Sequence, residues 1–432
     1  MKGKILIISS EQLTPDSTLG SIFELAQAKI LKCEYDVSII SVQNQEPLIL
    51  QVKSLIKNIV FFRLGRTRSD LLSVTKRLTR LIRGKQFWSQ KYTIEGVEVY
   101  AGYGFNFRNT RTDQDFYDLW LAIAGTAYKH YKQDHGHPEV VHAHGRFLLA
   151  GLFAIKLKKE ERIRYVYTEH SSRFPSGYVP SNTIHLLNDI IDNCTRYIAV
   201  SRHLLNKVVE TLDREVINSK VVFNVLDPLY QGPLSKQLSK NRFKFINIAN
   251  LEHRKGLDIL LRAFKRAFYG HPSYTLDIVG KGPVDSELKD LCNYLELDHV
   301  VCFHGEKSKF EIVKMLDRSN VFVFPSRFET FGVSVIEGMS RGCPVIVTAC
   351  GGPEEFVADF CGTIIETENE NELVVALQEM SENFKKYDRE KIHQYAMQEF
   401  GSQRFLKEMG EIYGDVMLMS KVIKSIGTEK LI

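Results

Sequence analysis

The segment 322–353, FVFPSRFETFGVSVIEGMSRGCPVIVTACGGP, constrains the fold of this chain more than any other stretch. An apolar run ends at Pro325, a helical pattern follows Gly332, and a second apolar run begins after Gly342. Strand, loop, helix and strand in this order form the unit of a parallel sheet, because parallel strands need a crossover connection. The segment therefore predicts an α/β protein.

Two carboxylates, Glu329 and Glu337, bracket the start of that helix, which we expect near Phe331-Gly332. Backbone N–H groups and the positive end of the helix dipole face whatever lies in front of the loop. Such a place suits an anion, most simply a nucleotide diphosphate. The alternative is that Glu337 lies on a solvated helix face and that Glu329 is a turn carboxylate.

Length and composition predict a soluble protein of two domains. The chain has 432 residues, of which 44% are hydrophobic and 25% charged, and this length exceeds one ordinary core. Seven cysteines, an odd number without a Cys-x-x-Cys pair, indicate a reducing compartment. The first apolar run is too short for a signal peptide, and no apolar run approaches the ~20 residues that span a bilayer. We therefore expect a cytoplasmic protein.

Strand-like and helical segments alternate on both sides of Asp227. This pattern predicts two doubly wound, Rossmann-like α/β domains that face a cleft. The first domain would comprise residues 1–226 and the second residues 227–400.

The spacing Glu329, seven residues, Glu337, with Phe-Gly between them, resembles the E-x7-E signature of retaining, GT-B-fold glycosyltransferases of family four. The resemblance covers nearly the whole chain and is densest between 244 and 357. It implies that domain 1–226 binds the acceptor, that domain 227–400 binds a nucleotide-sugar, and that a last helix, 402–420, packs back on the first domain.

The same resemblance implies roles for individual residues. Glu329 would hold the donor sugar and Glu337 the ribose, while backbone amides of Phe331, Gly332 and Val333 would contact diphosphate and sugar. Lys255 would contact phosphate. Asn250 stands where relatives carry an arginine, which removes one expected cation, and the neighbouring Arg254 is a candidate replacement. The other candidate donor contacts are Gly20, Gly280, Gly282, His304 and Gly305.

His142 and His144 end a short strand-like run and point to one face, because strand side chains alternate. Metal ligation is one interpretation, although no nearby carboxylate or cysteine completes a set at zinc-like spacing. A pair of core histidines is another. The resemblance places the second histidine against the donor sugar, so the catalytic candidates are His144, Glu329 and Lys255.

Glu169 and His170 follow the next strand-like run, 165–168. Residues just past the carboxyl ends of parallel strands line the binding crevice. We therefore expect Glu169 and His170 to bind the acceptor or assist its deprotonation, with a capping or turn role for Ser171 and Ser172 as the alternative.

A basic stretch, 63–91, carries apolar residues at helical spacing with arginines and lysines largely elsewhere on the wheel, followed by Phe87 and Trp88. A basic amphipathic helix with flanking aromatics binds anionic membrane surfaces. The alternative is a helix packed by its apolar face with a solvated basic face. Without a stacking motif, this stretch does not indicate nucleic-acid binding.

These features predict a retaining, metal-independent hexosyltransferase. It would move a sugar from a UDP- or GDP-linked donor to a sugar or lipid-linked acceptor, in bacterial cell-surface polysaccharide or glycolipid synthesis, on the inner face of the cell membrane. No cofactor and no metal ligand are expected. A sugar-nucleotide epimerase of the same fold, or a catalytically silent nucleotide-binding or scaffold relative, remains the alternative.

Overall fold

The computed structural model describes residues 2–9, 12–13, 22–43, 87–104, 112–235 and 242–429. The chain divides into two compact units. The first unit consists of Met1–Glu169, His185–Tyr197 and Tyr413–Ile432, and the second unit of His170–Ile184 and Ile198–Ile412. The domain ranges 1–226 and 227–400 stay a prediction.

Eight strands form the first sheet: β1 (Lys4–Ser9), β2 (Asp36–Val42), β3 (Phe87–Ile94), β4 (Val97–Gly104), β5 (Val140–Gly145), β6 (Tyr165–Glu169), β7 (Arg196–Ala199) and β8 (Ser219–Val221). Their order is β3-β4-β2-β1-β5-β6-β7-β8. Strands β1, β2 and β5 are buried along almost their whole length, as is typical of parallel strands covered on both faces.

One antiparallel hairpin, β3–β4, extends this parallel sheet at its edge. Its two turn residues, Glu95 and Gly96, have φ values of 47° and 81°, which is the geometry of a type I′ turn. Trp88 is buried and stacks on Tyr103, with ring centroids 5.4 Å apart. The expectation that Trp88 flanks a basic helix as a membrane-facing aromatic is therefore wrong, because the hairpin buries the indole.

The helices that accompany this sheet are α1 (Ile22–Leu31), α2 (Asp113–His135), α3 (Leu149–Glu161), α4 (Ile184–Asn193) and α5 (Arg202–Leu212). The Thr112 hydroxyl caps α2 by accepting a hydrogen bond from the Asp115 N–H at 3.2 Å. Asp113 and Asp115, which form the chain's Asp-x-Asp sequence, thus lie in the first turn of a helix. Carboxylates are favoured there by the helix dipole.

Six strands form the second sheet: β9 (Phe243–Ile248), β10 (Tyr274–Val279), β11 (Val301–Phe303), β12 (Val321–Phe324), β13 (Val345–Thr348) and β14 (Gly362–Ile365). Their order is β11-β10-β9-β12-β13-β14, and every pairing is parallel. The strand order therefore changes direction between β9 and β12. This change matters because such a switch point leaves a crevice at the carboxyl ends of the strands.

Helices connect these strands and cover the sheet: α6 (Leu257–Phe268), α7 (Asp285–Tyr294), α8 (Lys309–Asp317), α9 (Val333–Ser340), α10 (Glu370–Glu382) and α11 (Arg389–Phe400). Phe245, Leu276 and Val323 of the sheet pack with Leu260 and Phe264 of α6 in one buried cluster. The expected strand, loop, helix and strand around Glu329 is present as β12, α9 and β13.

The last helix, α12 (Ser402–Glu429), carries Tyr413. The Tyr413 hydroxyl lies 2.7 Å from His142 Nδ1 of β5, within the first unit. None of the helices in the described part of the chain is both long enough and apolar enough to cross a bilayer.

Candidate functional site

Glu329 lies just beyond β12, at the switch point of the second sheet. Its N–H donates to the Cys350 carbonyl at 2.8 Å, and it forms an isolated parallel bridge with Gly351. The segment that follows β13 therefore fixes the backbone of this residue. Glu329 is 6% exposed.

Two cations share one oxygen of the Glu329 carboxylate. Arg254 Nη1 donates to Glu329 Oε1 at 3.0 Å, and Lys255 Nζ donates to the same oxygen. Arg254 also donates from Nε to Glu252 Oε2 at 2.6 Å. This group of two cations and two carboxylates carries no net charge. An incoming anion would therefore have to displace Glu252 and Glu329 as hydrogen-bond partners of the two cations.

Gly256 explains how Lys255 comes so close to the end of β12. Its φ of +65° favours glycine, and a Cβ there would lie 2.0 Å from the Pro325 carbonyl oxygen. The short 3₁₀ helix His253–Lys255 therefore packs against the carboxyl end of β12. Lys255 Nζ lies 5.1 Å from the centroid of the Phe324 ring there. This close approach needs a residue without a side chain.

Gly280 and Gly282 bring a second loop against the carboxyl end of β9. A Cβ on Gly280 would lie 1.9 Å from the Ala249 carbonyl oxygen, and one on Gly282 would lie 2.1 Å from the Leu251 carbonyl oxygen. The Leu251 N–H donates to the Lys281 carbonyl at 2.9 Å. Asn250, exposed between these two contacts, lies on the rim formed by both loops.

The His304-Gly305 turn joins this rim from β11. The Gly280 N–H donates to the Gly305 carbonyl at 2.9 Å, and Gly305 has a φ of +66°. The His304 ring faces back along the sheet, with Nε2 2.7 Å from Asp277 Oδ1. The structure therefore brings the segments after β9, β10 and β11 together, as expected from their order in the sheet.

Glu337, one helical turn into α9, is buried, which excludes a solvated helix face. Burial raises the pKa of Glu337 to about 8, although the Lys309 cation and a hydrogen bond from the Tyr230 hydroxyl act in the opposite direction. Lys309 Nζ itself pairs with Asp227 Oδ2 at 2.7 Å. At neutral pH this carboxyl therefore keeps its proton, and it can both donate and accept a hydrogen bond.

Gly332 has a φ of +90° and forms the N-cap of α9, so the helix begins at Val333. The Phe331 side chain is 1% exposed and packs on Phe356 and Phe400, with ring centroids 5.1 and 6.0 Å away. Its side chain therefore belongs to the core. The predicted role of the amides of Phe331, Gly332 and Val333 toward diphosphate stays a prediction.

His142 and His144 lie side by side and fully buried in the first unit, with ring centroids 4.1 Å apart. Both ring nitrogens of His142 are engaged, Nδ1 by Tyr413 and Nε2 by the Thr168 hydroxyl, each at 2.7 Å. Burial lowers the pKa of His142 to about 3. His142 is thus a neutral core histidine rather than a metal ligand, and the role of His144 toward a donor sugar stays a prediction.

Glu169 and His170 are both buried. The Tyr167 hydroxyl donates to Glu169 Oε2 at 3.2 Å. Their predicted role toward an acceptor stays a prediction. Gly20 lies outside the described residues, as does 63–86 of the basic stretch, while 87–91 belongs to β3.

The sequence patterns missed three groups around Glu337: Tyr230, Lys309 and Asp227. Asp227 lies at the predicted domain boundary and Tyr230 follows it by three residues, but Lys309 is distant in the chain. Only the packing of α8 and α9 against the segment 227–231 brings these groups together.

Comparison with known proteins gives two family matches. The model described as glycosyl transferases group 1 matches residues 234–398, and the model described as glycosyltransferase family 4 matches residues 92–228. An uncharacterized glycosyltransferase of Methanocaldococcus jannaschii is 38% identical over 162 residues, which are 35% of this chain and 39% of that protein. The match thus spans well under half of that relative's length.

A second relative, an uncharacterized 41.2 kDa protein in the cps region of Klebsiella pneumoniae, is 23% identical over 333 residues, 74% of this chain and 89% of that protein. Among solved structures, Anabaena HepE in complex with UDP and glucose is 16% identical, with a TM-score of 0.68 over 96% of this chain and 100% of that chain. This likeness confirms the predicted GT-B fold. Because the two family models together match more than half of the sequence, the chain belongs to the group 1 glycosyltransferases of family 4.

Proposed function

We propose that this glycosyltransferase is a retaining enzyme that moves a sugar from a nucleotide-diphospho-sugar to an acceptor hydroxyl. The observation that carries the proposal is the buried Glu329 carboxylate at the switch point, held by Arg254 and Lys255. The structural neighbour HepE was solved with UDP and glucose, which supports a nucleotide-sugar as the donor class.

Lys255 and Arg254 are the candidate cations for the diphosphate. Both hydrogen-bond Glu329 Oε1, and phosphate oxygens form equally strong charge-assisted bonds. When the diphosphate takes over these cations, the Glu329 carboxylate becomes available to the hydroxyls of the donor sugar. Arg254 would then supply the positive charge that Asn250 lacks.

The glycine loops suit a nucleotide because they let backbone approach a ligand closely. Gly280, Gly282 and Gly305 form the rim beside Asn250, and the backbone of the His304-Gly305 turn would contact the base. The protonated Glu337 would hydrogen-bond the ribose hydroxyls, and the amides of Gly332 and Val333 at the start of α9 would face phosphate.

In the proposed reaction the hardest charge to stabilise is that on the departing diphosphate. Preorganised amides and Lys255 can do this without a metal, so we infer a metal-independent step. The acceptor hydroxyl would attack on the face that the diphosphate leaves, and the leaving phosphate would take its proton. His144 would position the sugar, while Glu169 and His170 would bind the acceptor.

We infer that the acceptor is a sugar or lipid-linked sugar in bacterial cell-surface polysaccharide or glycolipid synthesis. The Klebsiella pneumoniae relative lies in a cps region, which supports this class. All seven cysteines are free, which supports a cytoplasmic location. We infer a UDP- or GDP-linked donor, and the UDP in the HepE structure supports the first of these.

A donor panel followed by one variant tests the proposal. One nucleotide-sugar should raise the melting temperature and be turned over with an acceptor, giving product of unchanged anomeric configuration by NMR. Glu329→Gln keeps the size of the side chain but removes its charge, so turnover should fall by at least about 100-fold. Glu379→Gln, on the exposed face of α10, is the matched control and should retain full turnover.

Two further readouts separate the alternatives. Activity should survive EDTA, and loss of activity in EDTA that returns with a divalent cation would contradict the metal-independent step. Donor conversion without an acceptor would indicate an epimerase. Nucleotide binding without any turnover, unchanged in Glu329→Gln, would indicate a silent relative.

A further inference from the structure

Three potential metal ligands lie on one face of the edge of the second sheet. Asp277 of β10 and Cys302 of β11 are register partners in the parallel ladder. His304 follows Cys302 by two residues and continues on the same side, because strand side chains alternate. The opposite face, with Leu276, packs into the buried core.

The donor atoms are close together. His304 Nε2 lies 2.7 Å from Asp277 Oδ1, and His304 Nδ1 lies 3.9 Å from Cys302 Sγ. One ligand atom from each residue lies within 4.8 Å of the other two. Asp277 and His304 are half-buried, whereas Cys302 is exposed, so its side chain can turn toward the other two.

The chemistry of this set is that of zinc. Thiolate and imidazole select Zn²⁺ over the hard ions Mg²⁺ and Ca²⁺, and a carboxylate completes many zinc sites. With Zn–N and Zn–O bonds near 2.0 Å and a Zn–S bond near 2.3 Å, tetrahedral ligands stand roughly 3–4 Å apart. The separations of 2.7 and 3.9 Å between the donor atoms lie near that spacing.

We propose that Asp277, Cys302 and His304 bind Zn²⁺, with water in the fourth position. The ion would join β10 to β11 just before the His304-Gly305 turn. It would not take part in the transfer reaction, since the candidate donor contacts in this turn are backbone groups.

Binding requires the Cys302 thiolate. A thiol without a bound metal is mostly protonated at neutral pH, because its usual pKa is about 8.5. On binding, its S–H bond breaks, the proton passes to buffer and the Zn–S bond forms, so the measured affinity should increase with pH.

Zn²⁺ titration of the untagged full chain, in competition with a chromogenic chelator, tests the proposal. We expect one tight site, release of about one proton, and a rise in melting temperature. Cys302→Ser and His304→Ala should each weaken Zn²⁺ binding by at least about tenfold. Cys33→Ser removes the other exposed cysteine and should bind Zn²⁺ like the wild type.

Co²⁺ gives a second readout that does not depend on activity. The wild type should show thiolate-to-cobalt charge-transfer absorption, and Cys302→Ser should lack it. Circular dichroism of the apo variants establishes that they fold. Equal Zn²⁺ affinity in wild type, Cys302→Ser and His304→Ala would overturn the proposal, as would an equal loss in Cys33→Ser.

Discussion

At the level of single residues, Glu329 and Glu337 are two glutamates of one candidate site that differ in their surroundings and in their hydrogen-bond partners. Glu329 is held by two cations, whereas Glu337 is buried beside Tyr230 and keeps its proton. A neutral carboxyl group and a carboxylate that accepts hydrogen bonds from two cations can take different chemical roles. The charged group suits sugar hydroxyls beside cations, and the neutral group suits a ribose.

The protonated Glu337 makes a prediction about stability and pH. Burial raises its pKa in the native state from 4.5 to about 8. Between these values the folded protein binds a proton that the unfolded chain has lost, so the free energy of unfolding from this group falls as pH rises and levels off above about 8. Each unit of difference in pKa is worth about 1.4 kcal/mol.

Glu337→Gln removes this titration. We expect the variant to lose less stability than the wild type between pH 5 and 8 in urea unfolding. The control is Glu379→Gln on the exposed face of α10, which should follow the wild-type curve. Parallel curves for wild type and Glu337→Gln would show that Glu337 is already ionised at pH 5.

At the level of elements, the last helix is tied to the first sheet by a hydrogen bond between Tyr413 and His142. Both residues are fully buried. This contact lies within the first unit, where α12 meets β5. The packing of helix 402–420 on domain 1–226 stays a prediction.

Tyr413→Phe should destabilise the protein by about 1–3 kcal/mol, because it leaves a buried imidazole nitrogen without this partner while the ring still fills its space. Chemical denaturation measures the loss. Tyr178→Phe, at a residue that is 80% exposed, should change stability by less than about 0.5 kcal/mol. An unchanged free energy of unfolding in Tyr413→Phe would mean that His142 Nδ1 forms a hydrogen bond with another group.

At the level of the whole molecule, the basic stretch 63–91 carries a net charge of +8, from nine Lys and Arg and one Asp, against +5 for the entire chain. Most of that stretch lies outside the described residues, and its Trp88 is buried. Membrane binding would therefore depend on the basic stretch without Trp88. An electrostatic attachment of this kind weakens with salt.

We predict that the protein sediments with anionic liposomes at low salt and is released at high salt. Reversal of three charges, Arg77→Glu, Arg80→Glu and Arg83→Glu, should abolish sedimentation. The matched control reverses the exposed Lys385, Lys386 and Lys407 and changes the net charge equally. Equal loss in both variants would indicate a general charge effect, and no loss in either would contradict membrane binding by 63–91.

Local patterns were enough to predict much of the molecule. The strands β5, β12 and β13 follow from short apolar runs that end at proline, glycine or polar residues. The helix between Glu329 and Glu337 begins at Val333, close to where it was expected. These features depend on neighbours in the chain, and burial of an apolar run between turn residues needs no knowledge of the partner strand.

Other properties depend on residues distant in the chain. Glu337 keeps its proton because it is buried among Tyr230, Lys309 and Asp227. Lys255 reaches Glu329 because Gly256 allows the backbone to approach the Pro325 carbonyl closely. The ligand set Asp277, Cys302 and His304 exists only because β10 and β11 pair in one register. Chain-local chemistry thus determined the elements and the candidate residues. Burial and strand register, which tertiary packing alone creates, decided their charges and their partners.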